Sequence, residues 1–285
     1  MIYKETRRII DKYDFSVLKK YGQNFLIDGE VLEAITEASE IEKDDVVLEI
    51  GPGIGALTEF LAKAAGKVIA VEIDDKLIPI LRDGLSLYEN VEIIHSDIME
   101  VDLPELLKEY EGRKIKVVAN LPYYITTPVI MMLLTGDVKF SSIFLMVQKE
   151  VAERLVAEPG TSQYGAVTLA ASYYADCNIV GTVPPSCFFP RPGVDSALIK
   201  LDSYEKKPIE VKDEKHMFSL IRASFNQRRK TLANGIKNFS GFDYSSDEIK
   251  TALEKCELKP DIRGEKLSLT DFAKLSDELL LQREH

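Results

Sequence analysis

Glu49-Ile50-Gly51-Pro52-Gly53-Ile54-Gly55 closes a β-rich run, Val46–Ile50, and leads into a helical one, Leu57–Ala65. Glycines at such a turn let the chain reverse sharply and bring its backbone against a ligand. Glu72 ends the next β-rich run, 21 residues after Gly51, where a carboxylate can accept both hydroxyls of a ribose. The loop alone leaves the ligand open. Gly51-x-Gly53-x-x-Ala56 also satisfies the dinucleotide fingerprint of a dehydrogenase. A glycine turn without a ligand is the weakest reading, because the strand–turn–helix context and the spaced Glu72 agree with each other.

Outward from this loop, two patterns alternate between residues 30 and 150. β-rich runs occur at Val46–Ile50, Lys67–Ile73, Val91–His95, Ile115–Asn120 and Ser142–Val147. Helical spacing fills the intervals at Gly29–Ser39, Leu57–Ala65, Lys76–Leu85 and Thr127–Leu134. Such alternation predicts a parallel sheet wound by helices. A further helical stretch, Gly165–Tyr174, precedes β-like runs at Ala175–Val183 and Ala197–Asp202, which suit an antiparallel hairpin closing one sheet edge. Beyond about residue 205 the strand signal fades. Phe218, Ile221, Phe225, Leu232 and Ile236 repeat at helical spacing and predict one helix over Met217–Ile236. A second helix is expected over Thr270–Leu281, with Ser268 and Asp271 as its start signal. The chain thus divides into residues 1–203 and a small helical part, 204–285, with Ser203–Pro208 as linker.

Three features separate the two ligand readings. Glu49, before the first glycine, suits a loop that must also manage an amino-acid moiety. Asp97 ends the third run, where a carboxylate can take the amino group of a cofactor adenine; a dehydrogenase has no matching requirement there. Asn120-Leu121-Pro122-Tyr123 ends the fourth run, beyond the carboxyl ends of the strands, where doubly wound sheets hold their ligands. An amide, a proline-stiffened turn and an aromatic at that point suit methylation of adenine's exocyclic amine. That amine is a poor nucleophile, because its lone pair is spread into the ring. The Asn120 side-chain oxygen and the Leu121 carbonyl can accept its two N–H groups, drawing the nitrogen toward tetrahedral geometry. Pro122 fixes the backbone, and Tyr123 can stack on the base.

The 285 residues, 45% of them hydrophobic, suffice for one large α/β domain and an appendage. No apolar run follows the basic residues of Met1–Asp11, so no signal peptide fits, and the longest apolar stretches, such as Ile130–Leu134, are too short to span a membrane. Cys177, Cys187 and Cys256 are too scattered for disulfides or a zinc site; no metal is expected, and a reducing cytoplasm is the simplest setting. The net charge of −11 is unevenly placed: residues 1–25 carry +3, and residues 215–240 carry +6 with no acidic residue. Phosphate contact follows local charge rather than the total. On the predicted helix, Arg222, Asn226 and Arg229 share a face, flanked by Lys230 and Lys237, a possible grip on a nucleic-acid backbone or a solvated face.

Taken in order, these residues resemble the KsgA-type ribosomal RNA adenine dimethyltransferases, with an archaeal member expected. Gly22-Gln23-Asn24-Phe25-Leu26-Ile27-Asp28 resembles the family's N-terminal cofactor segment; Glu49–Thr58, Val71–Asp74, His95–Asp97 and Asn120–Thr126 follow in family order. Phe188-Phe189-Pro190-Arg191-Pro192-Gly193-Val194-Asp195-Ser196-Ala197 resembles the loop over the target base, and Phe225–Leu232 the start of the helical domain. The resemblance implies a Rossmann-like class I methyltransferase fold with an antiparallel edge hairpin and a C-terminal helical RNA-binding domain. It implies S-adenosyl-L-methionine as cofactor, with Asn24 and Leu26 bordering its methionine part. Gly51 would touch it through backbone, Glu72 would hold the ribose, Asp97 the adenine, and Asn120 would lie between cofactor and amine. Tyr123 and Phe188 would sandwich the target adenine, and Arg222, Arg228, Arg229 and Lys230 would meet RNA. The implied reaction is N6,N6-dimethylation of two adjacent adenosines in the 3′-terminal stem-loop of small-subunit ribosomal RNA, by a cytoplasmic monomer acting on a precursor particle. The nearest rival is a large-subunit adenine dimethyltransferase of the resistance type. A non-catalytic assembly or transcription factor on the same fold follows, and a dehydrogenase is more distant.

Overall fold

The computed structural model describes residues 2–13, 22–227 and 229–283. In chain order these form α1 (Ile2–Lys12), β1 (Phe25–Leu26), α2 (Gly29–Ala38), β2 (Val46–Ile50), α3 (Ala56–Ala64) and β3 (Lys67–Glu72). Next come α4 (Leu77–Gly84), β4 (Val91–His95), α5 (Leu103–Leu107), β5 (Ile115–Asn120), α6 (Thr126–Thr135) and β6 (Ser142–Gln148). They are followed by α7 (Lys149–Leu155), α8 (Ala166–Tyr174), β7 (Ala175–Val183), β8 (Phe188–Phe189) and β9 (Ser196–Ser203). The last helices are α9 (Glu214–Asn226), α10 (Leu232–Lys237), α11 (Ser246–Lys255) and α12 (Leu269–Leu281). The chain makes two compact units: Met1–Ala152 with Asp176–Ser203, and Glu153–Ala175 with Tyr204–His285. The second unit begins earlier than the single boundary read from hydropathy. Residues 153–175 carry Tyr164, Leu169 and Tyr173, which pack into the helical core.

The first unit is organised by a seven-stranded sheet in the order β4-β3-β2-β5-β6-β9-β7. β2, β3, β4, β5 and β6 run parallel, and β9 lies antiparallel on β6. Every residue of β2 is buried, as expected of a parallel strand covered on both faces. Chain order reverses at β2, which has β3 on one side and β5 on the other. That reversal opens a crevice at the carboxyl ends of the strands. At the opposite end, buried Lys116 pairs with Asp45 at 3.0 Å and donates to the Ser39 and Glu40 carbonyls after α2, so this internal charge is fully partnered.

The second unit is helical. Leu220 and Ile221 of α9, Leu232 and Ile236 of α10, Leu253 of α11 and Phe272 of α12 share one core. α12 starts as its sequence requires: Asp271 N–H donates to Ser268 Oγ at 3.2 Å and Ser268 N–H to Asp271 Oδ2 at 2.9 Å, a capping box. The single helix expected over Met217–Ile236 is instead two. Its apolar spacing runs on, but α9 ends at Asn226, and Thr231 starts a new helix by taking an N-cap conformation and accepting from Asn234 N–H. α10 then turns back on α9 so closely that a Cβ at Gly235 would sit 2.9 Å from the Ala223 carbonyl oxygen. Arg229 and Lys230 therefore lie on a connecting turn rather than on a helical stripe with Arg222.

Candidate active site

A cleft lies at the crevice end of the sheet, walled by the segment around β1, the loops after β2, β3 and β4, and the turn after β5. Its floor is the glycine loop. Gly51, Gly53 and Gly55 have φ of +69°, +63° and +87°, a region that side chains rarely adopt. A Cβ at Gly53 would come within 3.0 Å of the Phe25 ring, so glycine here also admits the β1 segment.

The carboxylates on the walls are held differently. Glu72 is 4% exposed and takes Gly53 N–H at 3.1 Å and Asp74 N–H at 2.9 Å, one on each oxygen. Burial still raises its pKa, against the pull of those backbone donors. Asp97 accepts Met99 N–H at 2.9 Å and is half-buried. Glu49 is 1% exposed, and its Oε2 meets no donor among the described residues.

Asn120 ends β5 with its amide Nδ2 donating to the Asn24 carbonyl at 3.0 Å. That bond consumes the donor end and leaves the Oδ1 acceptor for a ligand in the cleft. Leu121 is buried and anchored by its N–H to the Met146 carbonyl at 3.1 Å. Tyr123 is half-buried, its hydroxyl 3.1 Å from Ser196 Oγ, and burial raises its pKa. The phenol therefore stays neutral at physiological pH and acts as a fixed ring rather than an acid or base.

The sequence between residues 15 and 279 matches the family described as "Ribosomal RNA adenine dimethylase". The chain belongs to that family. It is 54% identical over 276 residues to the ribosomal RNA small subunit methyltransferase A of Lachnoclostridium phytofermentans, covering 96% of this chain and 95% of that one. It is 50% identical over 278 residues to the protein of the same description from Ligilactobacillus salivarius, covering 96% and 94%. Among solved structures it resembles a dimethyladenosine transferase from Plasmodium falciparum, with TM-score 0.73 and 28% identity, over 91% of this chain and 97% of that one. The curated relatives are bacterial, so the archaeal affiliation expected from the sequence is not borne out.

For this adenine dimethylase the cleft brings together Asn24, Leu26, Gly51, Glu72, Asp97, Asn120, Leu121 and Tyr123. Phe188 is not among them. It is 1% exposed and packs into the core with Leu26, Leu32 and Phe144. Phe188 pairs with Leu26 and Phe189 with Phe25 across the short β1–β8 ladder. A ring so enclosed offers no face to a base; in this geometry it seats the β1 segment instead. Burial of one of two adjacent aromatics has no signal in a run of so few residues. Arg228 lies outside the described residues; Arg222, Arg229 and Lys230 are exposed in the second unit, and none of them lines the cleft. Tyr124, not among the residues expected at the site, lines the cleft while 51% exposed. The only hint was a second tyrosine beside Tyr123.

The donors fit S-adenosylmethionine. Among the described residues the lining holds Glu49, Glu72 and Asp97 but no Lys, Arg or His, which suits a cationic ligand. The glycine floor leaves room for its backbone-close part, and Glu72 retains acceptor capacity for ribose hydroxyls.

Proposed function

We propose that this chain catalyses S-adenosylmethionine-dependent N6,N6-dimethylation of two adjacent adenosines in the 3′-terminal stem-loop of small-subunit ribosomal RNA. It acts on precursor small subunits in the cytoplasm, as a monomer, during ribosome biogenesis. The observation that carries this reading is the oriented amide of Asn120, held by the Asn24 carbonyl beside the anchored Leu121 and the ring of Tyr123.

The cofactor, when bound, supplies an electrophilic methyl on a sulfonium. Asn120 Oδ1 and the Leu121 carbonyl accept the two N–H groups of the target amine and turn its lone pair out of the ring plane. Tyr123, steadied by Ser196, stacks on the base. The residues work chiefly by holding amine and methyl in line. No side chain need remove a proton first, since the methylated amine sheds its own readily. On the second pass one N–H remains, so one acceptor is left for water or for the added methyl to displace. Arg222, Arg228, Arg229 and Lys230 contribute backbone contacts to RNA.

Incubation with labelled S-adenosylmethionine and isolated small or large subunits, followed by mapping of the modified base, tests the proposal. Dimethylated adjacent adenosines in small-subunit RNA are expected. Label confined to large-subunit RNA would replace this reading with the resistance-type one, and no label on either would favour a non-catalytic factor.

A further inference from the structure

Tyr123 and Tyr124 are neighbours in the chain but stand differently in the cleft. Tyr123 is half-buried, with its hydroxyl 3.1 Å from Ser196 Oγ. Tyr124 also lines the cleft, yet is 51% exposed. Of the large apolar side chains exposed among the described residues, Tyr124 alone lines the cleft. A single exposed apolar residue is ordinary; a ring at the mouth of a cleft that receives a base offers that base's neighbour a stacking face. The turn that carries it is firmly held. Ile125 N–H donates to the Pro122 carbonyl at 3.3 Å, and Thr126 Oγ1 donates to the Pro122 and Tyr123 carbonyls at 3.1 and 3.4 Å. Gly22 lies against one side of the ring: a Cβ there would stand 3.5 Å from Tyr124 Cδ1. A platform fixed in this way loses little freedom on binding.

The reaction has two bases to handle in turn. Drawing one base out of its stack uncovers the face of the next. With Phe188 enclosed in the core, Tyr123 is the inner ring and Tyr124 the outer one. Completion of the first dimethylation also changes what the inner place can hold. The amine then has no N–H left, so Asn120 Oδ1 and the Leu121 carbonyl lose both donors and cease to retain it. The added methyls give the same base more apolar area for an exposed aromatic face to cover.

We propose that Tyr124 is a second base platform: it stacks the adenosine adjoining the one on Tyr123, and after exchange it carries the dimethylated base while its neighbour enters the inner place. This rests on the reading that two adjacent adenosines of small-subunit RNA are the substrate. No bond forms or breaks at Tyr124. Its effect is on partition, favouring completion of both adenosines over release after the first.

Time courses on unmethylated small subunits with S-adenosylmethionine, followed by mass spectrometry of the loop fragment, count the methyl groups on each adenosine. The wild type is expected to give fragments with both adenosines dimethylated and little half-modified product. Tyr124→Ala should accumulate fragments dimethylated at one adenosine and unmodified at the other, with the second rate relative to the first lowered about tenfold, the effect of losing one base–aromatic stack. Tyr124→Phe, which keeps the ring, should restore the wild-type ratio. If Tyr124→Ala failed to fold, Tyr124→Leu, apolar but without an aromatic face, reads the same ratio. Equal slowing at both adenosines, an unchanged ratio, or a phenylalanine variant no better than the alanine one would overturn the proposal. So would a loss of cofactor affinity in Tyr124→Ala, read by calorimetry, that matched the loss of rate, because the ring would then serve the cofactor and not the RNA. A wild type that left small-subunit adenosines unmethylated would overturn the underlying reading, and this inference with it.

Discussion

The cleft of the first unit and the α9–α10 turn of the second carry charge in opposite ways. In the cleft, Glu72 is almost wholly buried and fixed by backbone donors. On the turn, Arg229 and Lys230 are exposed, and Arg222 donates to Ser219 Oγ on its own helix at 3.1 Å. Buried charge is strongly felt and little screened; exposed charge is weak per residue and sensitive to salt. A small cofactor with fixed geometry matches the first design. A long polyanion read mainly by its backbone matches the second.

The largest expected effect is in the core beneath β1. Phe188→Ala should cost about 3–5 kcal/mol of stability, read by chemical denaturation, because the ring fills core beneath β1. A loss confined to RNA affinity, with stability intact, would restore the base-stacking role. Asn120→Ala should lower single-turnover transfer to small subunits by about a hundred- to a thousandfold, by analogy with loss of one preorganised polar group at a reacting centre. Near-normal turnover would remove the acceptor mechanism. Reversing both Arg229 and Lys230 to glutamate should weaken RNA binding about tenfold or more at moderate salt and flatten its salt dependence. Cofactor affinity, read by calorimetry, should be untouched; an equal loss of both would erase the contrast between the two regions. The smallest effect is on the turn itself. Thr231→Ala should cost about 1 kcal/mol through the lost helix cap, visible as a small drop in unfolding midpoint.

The first unit was the more legible in sequence. β2, β4, β5 and β7 fall on their expected residues; for β2 and β5 the reason is that buried parallel strands give nearly unbroken apolar runs, whereas β7 is an edge strand with most residues exposed. The ends of β2, β3, β4 and β5 carried the cleft residues for the same reason: topology places strand ends, and chemistry then names the side chains. The helical unit was less legible. Apolar spacing passes unbroken through residues 227–231 although the backbone turns there, since a helix pair that reverses direction can present the same residues to one core. α11, which begins at a Ser245–Glu248 capping box, was overlooked because its apolar face, Ile249, Ala252 and Leu253, is narrow. Phe188 shows a further limit. Sequence pattern does not tell whether an aromatic ring in such a loop is open to a ligand or fills the core.

The bond from Asn120 to the Asn24 carbonyl also bears on inhibition. The amide that aligns the amine is held in its working orientation by a stretch of chain that adenine need not touch. A compound that drew Gly22–Asn24 off the cleft rim would leave the amide free to reverse, presenting N–H groups to N–H groups. Such a compound would block transfer without occupying the place of the base, and a higher concentration of RNA would not rescue activity.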